Sequence, residues 1–399
     1  MELYLQFGYG MMGHCRHLIK SWQSGTVILS PRDQEIGQIS DFVPDIHKAG
    51  GQVVFDPQFY VPHADHGRLT SHSFWPNDYS TALFNSTEVR KMLTVLRDEY
   101  NTPFETSFFI LPGNRSSEIN DDWYKYHSII IKEAQDLDVH DNIYFTLCLS
   151  KEAMNSEDTI HNVLEYLDTW DIQGCYVVPE PSNNSYLVDN PNWLVNLMDL
   201  TAGIKLQNKK VVVGYANHQM LNLALTKTDA IASGNWINVR SFNASKFNNP
   251  DDSVSRRSTW YYCPQSLSEY QIPILDMAKR LSILDDLRTD TENLSGYADI
   301  LFSGAQPTTV QYSERESFRH YLQCLHMQAQ NAVKGTYAET RESIKLRLET
   351  AERLTKYFND NGIRGKDRDF IDVVDSNLSA LNVFHRLRGM ILGHKWDTI

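Results

Sequence analysis

The sequence predicts an α/β protein, a (β/α)8 TIM-type barrel with a helical C-terminal extension. Three observations predict it. From the first residue to about residue 240, short apolar runs alternate with amphipathic stretches. The runs are nearly uniformly apolar, as strands of a parallel sheet covered on both faces must be. There are eight of them, and a doubly wound sheet usually closes its domain with fewer.

The candidate strands, in order, are LYLQFGYG (3–10), GTVILSP (25–31), GQVVFDP (51–57), TSFFILPG (106–113), NIYFTLCLS (142–150), GCYVVPEP (174–181), KVVVGYAN (210–217) and DAIASGNW (229–236). Helical patterns lie between them, including residues 92–100, 121–137, 159–170, 192–206 and 219–228. The first of these follows NSTEVRK, where Ser86 or Thr87 can cap the helix start. The barrel is therefore expected over residues 1–247.

Beyond it the pattern changes. Residues 248–312 open with NNPDDSVSRRSTWYYCPQSLSEYQIP, polar and aromatic without clear periodicity, which reads as an irregular docking segment. Residues 313–399 read as a helical unit whose second long helix stops at Asn361-Gly362, as at a C-cap.

The composition sets limits on function. The 399 residues, 41% of them hydrophobic, are enough for one large core and a smaller second unit. The net charge of −13 argues against a surface that grips nucleic acid over its whole extent, though not against a local basic groove. Five scattered cysteines show no metal-type pairing, so structural zinc is not expected, and the thiols read as reduced. No apolar run approaches a membrane span, and the N-terminus has no signal-peptide pattern. A cytoplasmic protein without membrane contact is the expectation. Neither GxxxxGK[ST] nor a strand–GxGxxG–helix unit occurs, so no nucleotide cofactor is expected.

In a barrel the active site lies at the C-terminal ends of the strands. Two acids stand there directly after apolar runs, Asp56 in VVFDPQFY and Glu180 in VVPEP. Each could be a turn former or a helix cap, or the two could face one another across a ligand as acid, base or nucleophile. Strands three and six lie nearly opposite in an eight-stranded barrel. The other strand ends offer Tyr9, Gln58, Tyr60, Asn217, His218, Ser233, Asn235, Trp236 and Arg240 as substrate contacts, the aromatic ones by stacking. GYANH before a helix, with Ser233 and Gly234 nearby, has the look of a phosphate loop, although Gly214 and Gly234 can equally serve tight turns. The pairs His14/His17 and His63/His66 raise a metal-dependent hydrolase as another reading.

The stretch VVVGYANHQMLNLALTKTDAIASGNWINVRSFN resembles the last barrel units of the tRNA-guanine transglycosylases and their DNA-acting paralogues. In that family an Asp after the third strand begins the base-binding loop, which aligns with Asp56, and a Glu follows the sixth strand, which aligns with Glu180. The resemblance implies a (β/α)8 enzyme acting on the glycosidic bond of a nucleoside or nucleic-acid base. The chain departs from the family where Ala232 or Ser233 replaces the eighth-strand nucleophilic Asp, where Pro57-Gln58 replaces Gly-Gly, and in lacking its cysteine-histidine zinc site. Those departures keep open a barrel that has lost its chemistry and serves as a recognition subunit of a larger assembly. Its protein partner would then meet the 248–272 loop or the C-terminal helices.

Overall fold

A computed structural model of the chain describes residues 1–399 apart from 82–83, 184, 249–257 and 294. Eight parallel strands close in chain order into a barrel. They are β1 (Glu2–Gln6), β2 (Thr26–Leu29), β3 (Gln52–Phe55), β4 (Phe109–Ile110), β5 (Ile143–Leu149), β6 (Gly174–Pro179), β7 (Lys210–Val213) and β8 (Ala230–Ser233). The seam is β8 on β1, with Leu3 opposite Ile231 and Leu5 opposite Ser233. Each of the eight apolar runs holds one strand. Val27, Ile28, Val53, Val54, Val211 and Val213 are buried whichever way they point, inward to the barrel or outward to a helix, which is why alternation is missing from the sequence.

The outer ring comprises α1 (Met12–Trp22), α2 (Ile36–Lys48), α3 (Ser86–Val95), α4 (Asp121–Asp136), α5 (Lys151–Met154), α6 (Glu157–Asp168) and α7 (Pro191–Leu206). Asn85, not Ser86 or Thr87, caps α3, its side chain accepting the Thr87 N–H at 3.0 Å. The helix expected over 219–228 is instead a 3-10 segment, His218–Thr226. Nearly all of its side chains are buried, between α7 and the C-terminal helices, so packing overrides helix propensity there.

Residues 258–312 are more ordered than their sequence suggests. β9 (Trp260–Cys263) and β10 (Ser268–Gln271) form an antiparallel hairpin, followed by α8 (Ile272–Arg280) and several 3-10 turns. Tyr261, Tyr262 and Tyr270 are buried, so these rings build the interior. Tyr261, Tyr270, Leu275, Leu287, Leu301 and Phe358 belong to a second small core, separate from the barrel core. The rest of the proposed docking stretch, residues 249–257, lies outside the described residues.

Three long helices complete the chain: α9 (Glu314–Gln330), α10 (Tyr337–Asp360) and α11 (Val374–Lys395). Capping boxes at Ser313/Glu316 and Thr336/Glu339 start α9 and α10, and Gly362, at φ +78°, turns the chain away just after Asn361 as the sequence predicts. These helices join the barrel and form no free-standing unit. α9 packs on β1 and α1, and α11 packs along α7. A salt bridge fastens the second contact, Arg388 Nε donating to Asp199 Oδ1 at 2.5 Å. Among the described residues no helix is long and apolar enough to cross a membrane.

Candidate functional site at the barrel mouth

Asp56 is the first residue past β3, and its side chain is fully enclosed, with 0% exposure. Its Oδ1 accepts the Gln58 N–H at 2.9 Å, which is a local Asx-type turn and satisfies the bland reading of this residue. Its Oδ2 does something a turn does not require. It accepts the Tyr60 hydroxyl at 2.6 Å and lies 3.3 Å from the Tyr176 hydroxyl, which also donates to Gln6 Oε1 at 3.0 Å. The carboxyl of β3 is thus tied to side chains of β6 and β1 across the barrel.

The network extends along the mouth. Gln58 Nε2 donates to the Tyr215 hydroxyl at 3.0 Å, while Gln58 Oε1 accepts from Ser30 Oγ at 3.1 Å and the Arg32 N–H at 3.0 Å. Arg32 is itself paired to Asp33 at 2.8 Å, so its charge is answered there. Gln58 and Tyr215 both hold positive φ, +53° and +52°, a conformation that is strained for side chains of this size. That two strained residues follow different strands and bond to one another is the kind of stored strain that gathers at ligand sites.

The electrostatics follow from this geometry. Burial pushes the Asp56 carboxyl up to about 6, although the hydrogen bonds from Tyr60, Gln58 and Tyr176 and the charge of Arg32 pull the other way. Burial, with the Asp56 charge second, holds Tyr60, Tyr176 and Tyr215 well above the usual phenol range, so they remain donors. Asp56 therefore changes protonation close to neutrality, inside a ring of neutral phenols.

Glu180 plays a different part. Its Oε2 accepts from Arg115 at 2.9 and 2.6 Å and from the Lys151 N–H at 3.1 Å, fastening the loops after β4, β5 and β6 together. It is an ion-paired carboxylate and not a free acid. Glu180 and Asp56 both act on the buried Cys148 thiol of β5, whose pKa burial first, and then these two charges, raise well above its usual value.

The remaining candidates divide. Gln58 and Tyr60 belong to the network just described. Tyr9 turns its ring outward, 65% exposed, and only its carbonyl joins the mouth, accepting from Asn235 Nδ2 at 2.8 Å and Trp236 Nε1 at 3.1 Å. The Trp236 ring packs edge-on against Phe318 of α9, so neither aromatic stacks over Asp56. Asn217 is a helix cap. Its Oδ1 accepts the Gln219 N–H at 2.9 Å and its Nδ2 donates to the Tyr186 carbonyl at 2.6 Å, filling the loop expected to take phosphate. His218 is sealed among Tyr186, Tyr262, Tyr321 and Phe370, and burial lowers its pKa to about 4. Ser233 is fully buried at the end of β8. A Cβ on Gly214 would meet the Tyr176 hydroxyl at 2.5 Å, and one on Gly234 would meet the Gln6 carbonyl at 2.5 Å, so both glycines serve close packing.

Arg240 is committed elsewhere. Its Nε donates to the Gly234 carbonyl at 2.8 Å, its guanidinium lies 3.5 Å from the centre of the Tyr321 ring, and its Nη1 sits 3.3 Å from Glu269. The histidine pairs do not converge either. His14 packs on Phe318 and His17 on Tyr297, whereas His63 packs on Tyr79. Among the described residues no three His, Cys, Asp or Glu side chains are grouped to hold a metal ion.

Several members of the site escape the sequence reading. Gln6 and Tyr176 carried a usable signal, since each is a polar group within an otherwise apolar strand. Phe242 and Phe247 carried none. They follow β8 and cover Tyr60, their ring centres 5.2 and 5.1 Å from it, and close the mouth. A narrow cleft remains beside the network, lined by Pro179, Trp193, Gly214, Tyr215, Asn217 and Phe242. A larger groove lies outside the barrel, between α3 and residues 73–80.

No protein-family model matches the chain, so none supports the transglycosylase resemblance, and no curated protein matches it in sequence. Among solved structures, D-psicose 3-epimerase with D-tagatose, from Clostridium cellulolyticum H10, is similar over 62% of this chain and 94% of the epimerase, at 7% identity and a TM-score of 0.35. The closed eight-stranded barrel rests on this chain's own strand pairing, and nothing is carried over from the chemistry of that neighbour.

Proposed function

We propose that the chain is a barrel enzyme acting on the glycosidic bond of a nucleoside or nucleic-acid base, with Asp56 as its acid/base. One observation carries the reading: a wholly buried carboxyl at a strand end, with a pKa of about 6 and, among the described residues, no cation in a salt bridge with it. Such a group can give and take a proton near neutral pH, which a solvated aspartate does poorly. Protonating a leaving base, or holding its N–H edge, is work for a carboxyl of this kind. The aromatic mouth, with Tyr60 against Tyr215, Phe242 and Phe247, suits a planar ring, and binding would exchange Phe242 and Phe247 for the ring of the substrate. Glu180, held by Arg115, would keep the opposite loops in place.

The closed mouth favours a second reading, a barrel that recognises without catalysis. One experiment separates them. Wild-type protein is incubated with single-stranded RNA or DNA and a labelled free purine base, and base release or incorporation is followed. A folded Asp56→Asn variant, at least as stable as wild type, should lose roughly 10²-fold or more of the exchange. Equal exchange by both proteins removes Asp56 from the chemistry, and no exchange by wild type on either nucleic acid leaves the recognition reading.

A further inference from the structure

α1 and α9 run side by side in the same direction. Near their starts His14 packs on Phe318, with ring centres 5.6 Å apart. Near the end of α1, Trp22 donates to Gln323 at 2.7 Å and stacks on His326. Both helices therefore begin at the mouth of the barrel, because α1 follows the C-terminal end of β1. At that corner the chain gathers two guanidinium groups, Arg315 and Arg319 on α9, beside the neutral imidazoles of His14 and His17 on α1, in a protein whose net charge is −13.

The first turn of α9 holds two acids, Glu314 and Glu316, and Glu316 is already engaged. It accepts from Arg315 Nε at 2.9 Å and closes the capping box with Ser313. Among the described residues Arg319 Nε is buried without a hydrogen-bond partner, and so is Nδ1 of His14, a residue only 9% exposed. Buried polar atoms of this kind are rarely left unanswered, and Arg319 Nε, which can only donate, costs free energy until something accepts from it. Burial first, and then the charges of Arg319, His17 and Arg315, push the His14 pKa down to about 4. The first turn of α1 holds no acidic residue, and no side chain caps it, so its positive end is also open. Beside it stands the outward ring of Tyr9.

We infer that the corner between the starts of α1 and α9 is a phosphate-binding site, in which Arg319, Arg315 and His14 hold the anion. The corner after β7 and β8, the usual phosphate grip of this fold, is filled here by the Asn217 cap and close-packed glycines. The C-terminal extension moves that function round the rim to its own helix α9. The phosphate can come from a free nucleotide or from the phosphodiester of a single strand, with Tyr9 offering a face to the adjoining base. Its link to base chemistry at Asp56 rests on the reading above, but phosphate binding itself is measured separately.

The test uses the full chain with three probes: inorganic phosphate, a nucleoside 5′-monophosphate and a single-stranded oligonucleotide. Titrations are followed by calorimetry at several salt concentrations. The expected result is that Arg319→Gln weakens the bound probe roughly tenfold or more, with Arg315→Gln weaker in the same direction. The melting temperature of Arg319→Gln should stay within about 2 °C of wild type, since among the described residues its Nε makes no hydrogen bond that the substitution would break. Binding of phosphate and mononucleotide identifies a small-ligand site. Binding of the oligonucleotide alone, with a salt slope reduced by about one in Arg319→Gln, identifies a phosphodiester. Inorganic phosphate carries no base for Asp56 to hold, so Asp56→Asn should bind it as wild type does, and loss of exchange with phosphate binding retained separates the two proposals. If no probe binds wild type, or both arginine variants bind as wild type does, the site is refuted.

Discussion

Asp56 and Glu269 are both buried carboxyls, and each accepts a short hydrogen bond from a tyrosine, Tyr60 at 2.6 Å and Tyr186 at 2.7 Å. Their acidities nonetheless move apart. Burial drives both upward. At Glu269 the charges of Arg368 and Arg240, 2.8 and 3.3 Å away, outweigh it and bring the carboxyl down to about 2. At Asp56 no cation among the described residues forms a salt bridge, phenols and the Gln58 N–H supply the hydrogen bonds, and the carboxyl rises to about 6. What separates a poised acid from a structural ion here is the counter-ion, not the burial or the tyrosine. Glu269 fastens the β9–β10 hairpin to the segment before α11 and to the loop after β8. Asp56 fastens little that a neutral side chain could not.

The largest effect should therefore come from Glu269. Glu269→Gln keeps the shape of the side chain but leaves Arg240 and Arg368 without a buried partner, and should destabilise the fold by about 3–5 kcal/mol. Urea unfolding at pH 7 reads this directly. A change within about 1 kcal/mol would make the two carboxyls equivalent and dissolve the contrast.

The pH dependence of stability sharpens it. The Glu269 contribution is fully present above the ordinary value of 4.5 and is lost as pH falls from there towards about 2. Asp56 works in the other direction. Its penalty is absent below 3.8, grows as pH rises through about 6, and then stays constant at about 3 kcal/mol. Asp56→Asn should remove this decline, so its stability relative to wild type should rise between pH 4 and pH 8. Parallel curves for the two proteins would show that the Asp56 carboxyl is not raised.

A smaller effect is expected at the closure of the mouth. Phe242→Leu should cost about 1 kcal/mol, the scale of a conservative buried change, because the ring is 1% exposed and touches Tyr60 and Tyr215. It should tighten binding of free purine bases to wild-type Asp56, measured by calorimetry, if Phe242 competes with the ligand for Tyr60. Unchanged or weaker binding would assign the ring to the wall of the pocket. The least effect should be at Arg115→Lys, where a single ammonium replaces a guanidinium that donates twice to Glu180. Thermal melts should show a loss of about 0.5 kcal/mol, since Arg115 is partly exposed.

The sequence by itself determined the eight strands and the position of Asp56, because both are local facts. An apolar run between Gly, Pro and Asp signals is visible in a few residues, and a barrel puts the end of every such run at one mouth. It also carried Gln6 and Tyr176 as polar groups within apolar strands. The tertiary structure alone decided which of these polar residues act together. Arg240, Glu269, Arg368 and Tyr186 come from four separate stretches of chain, and nothing local marks them as partners. The aromatic hairpin at 260–271 read as a docking surface because both of its faces are covered, which erases the alternation a half-exposed strand would show. Periodicity records that a face is buried and not what buries it. Acidity depends on that second fact, since desolvation and counter-ions are set by contacts distant in sequence, and so the same kind of carboxyl becomes an anchor at Glu269 and a poised acid at Asp56.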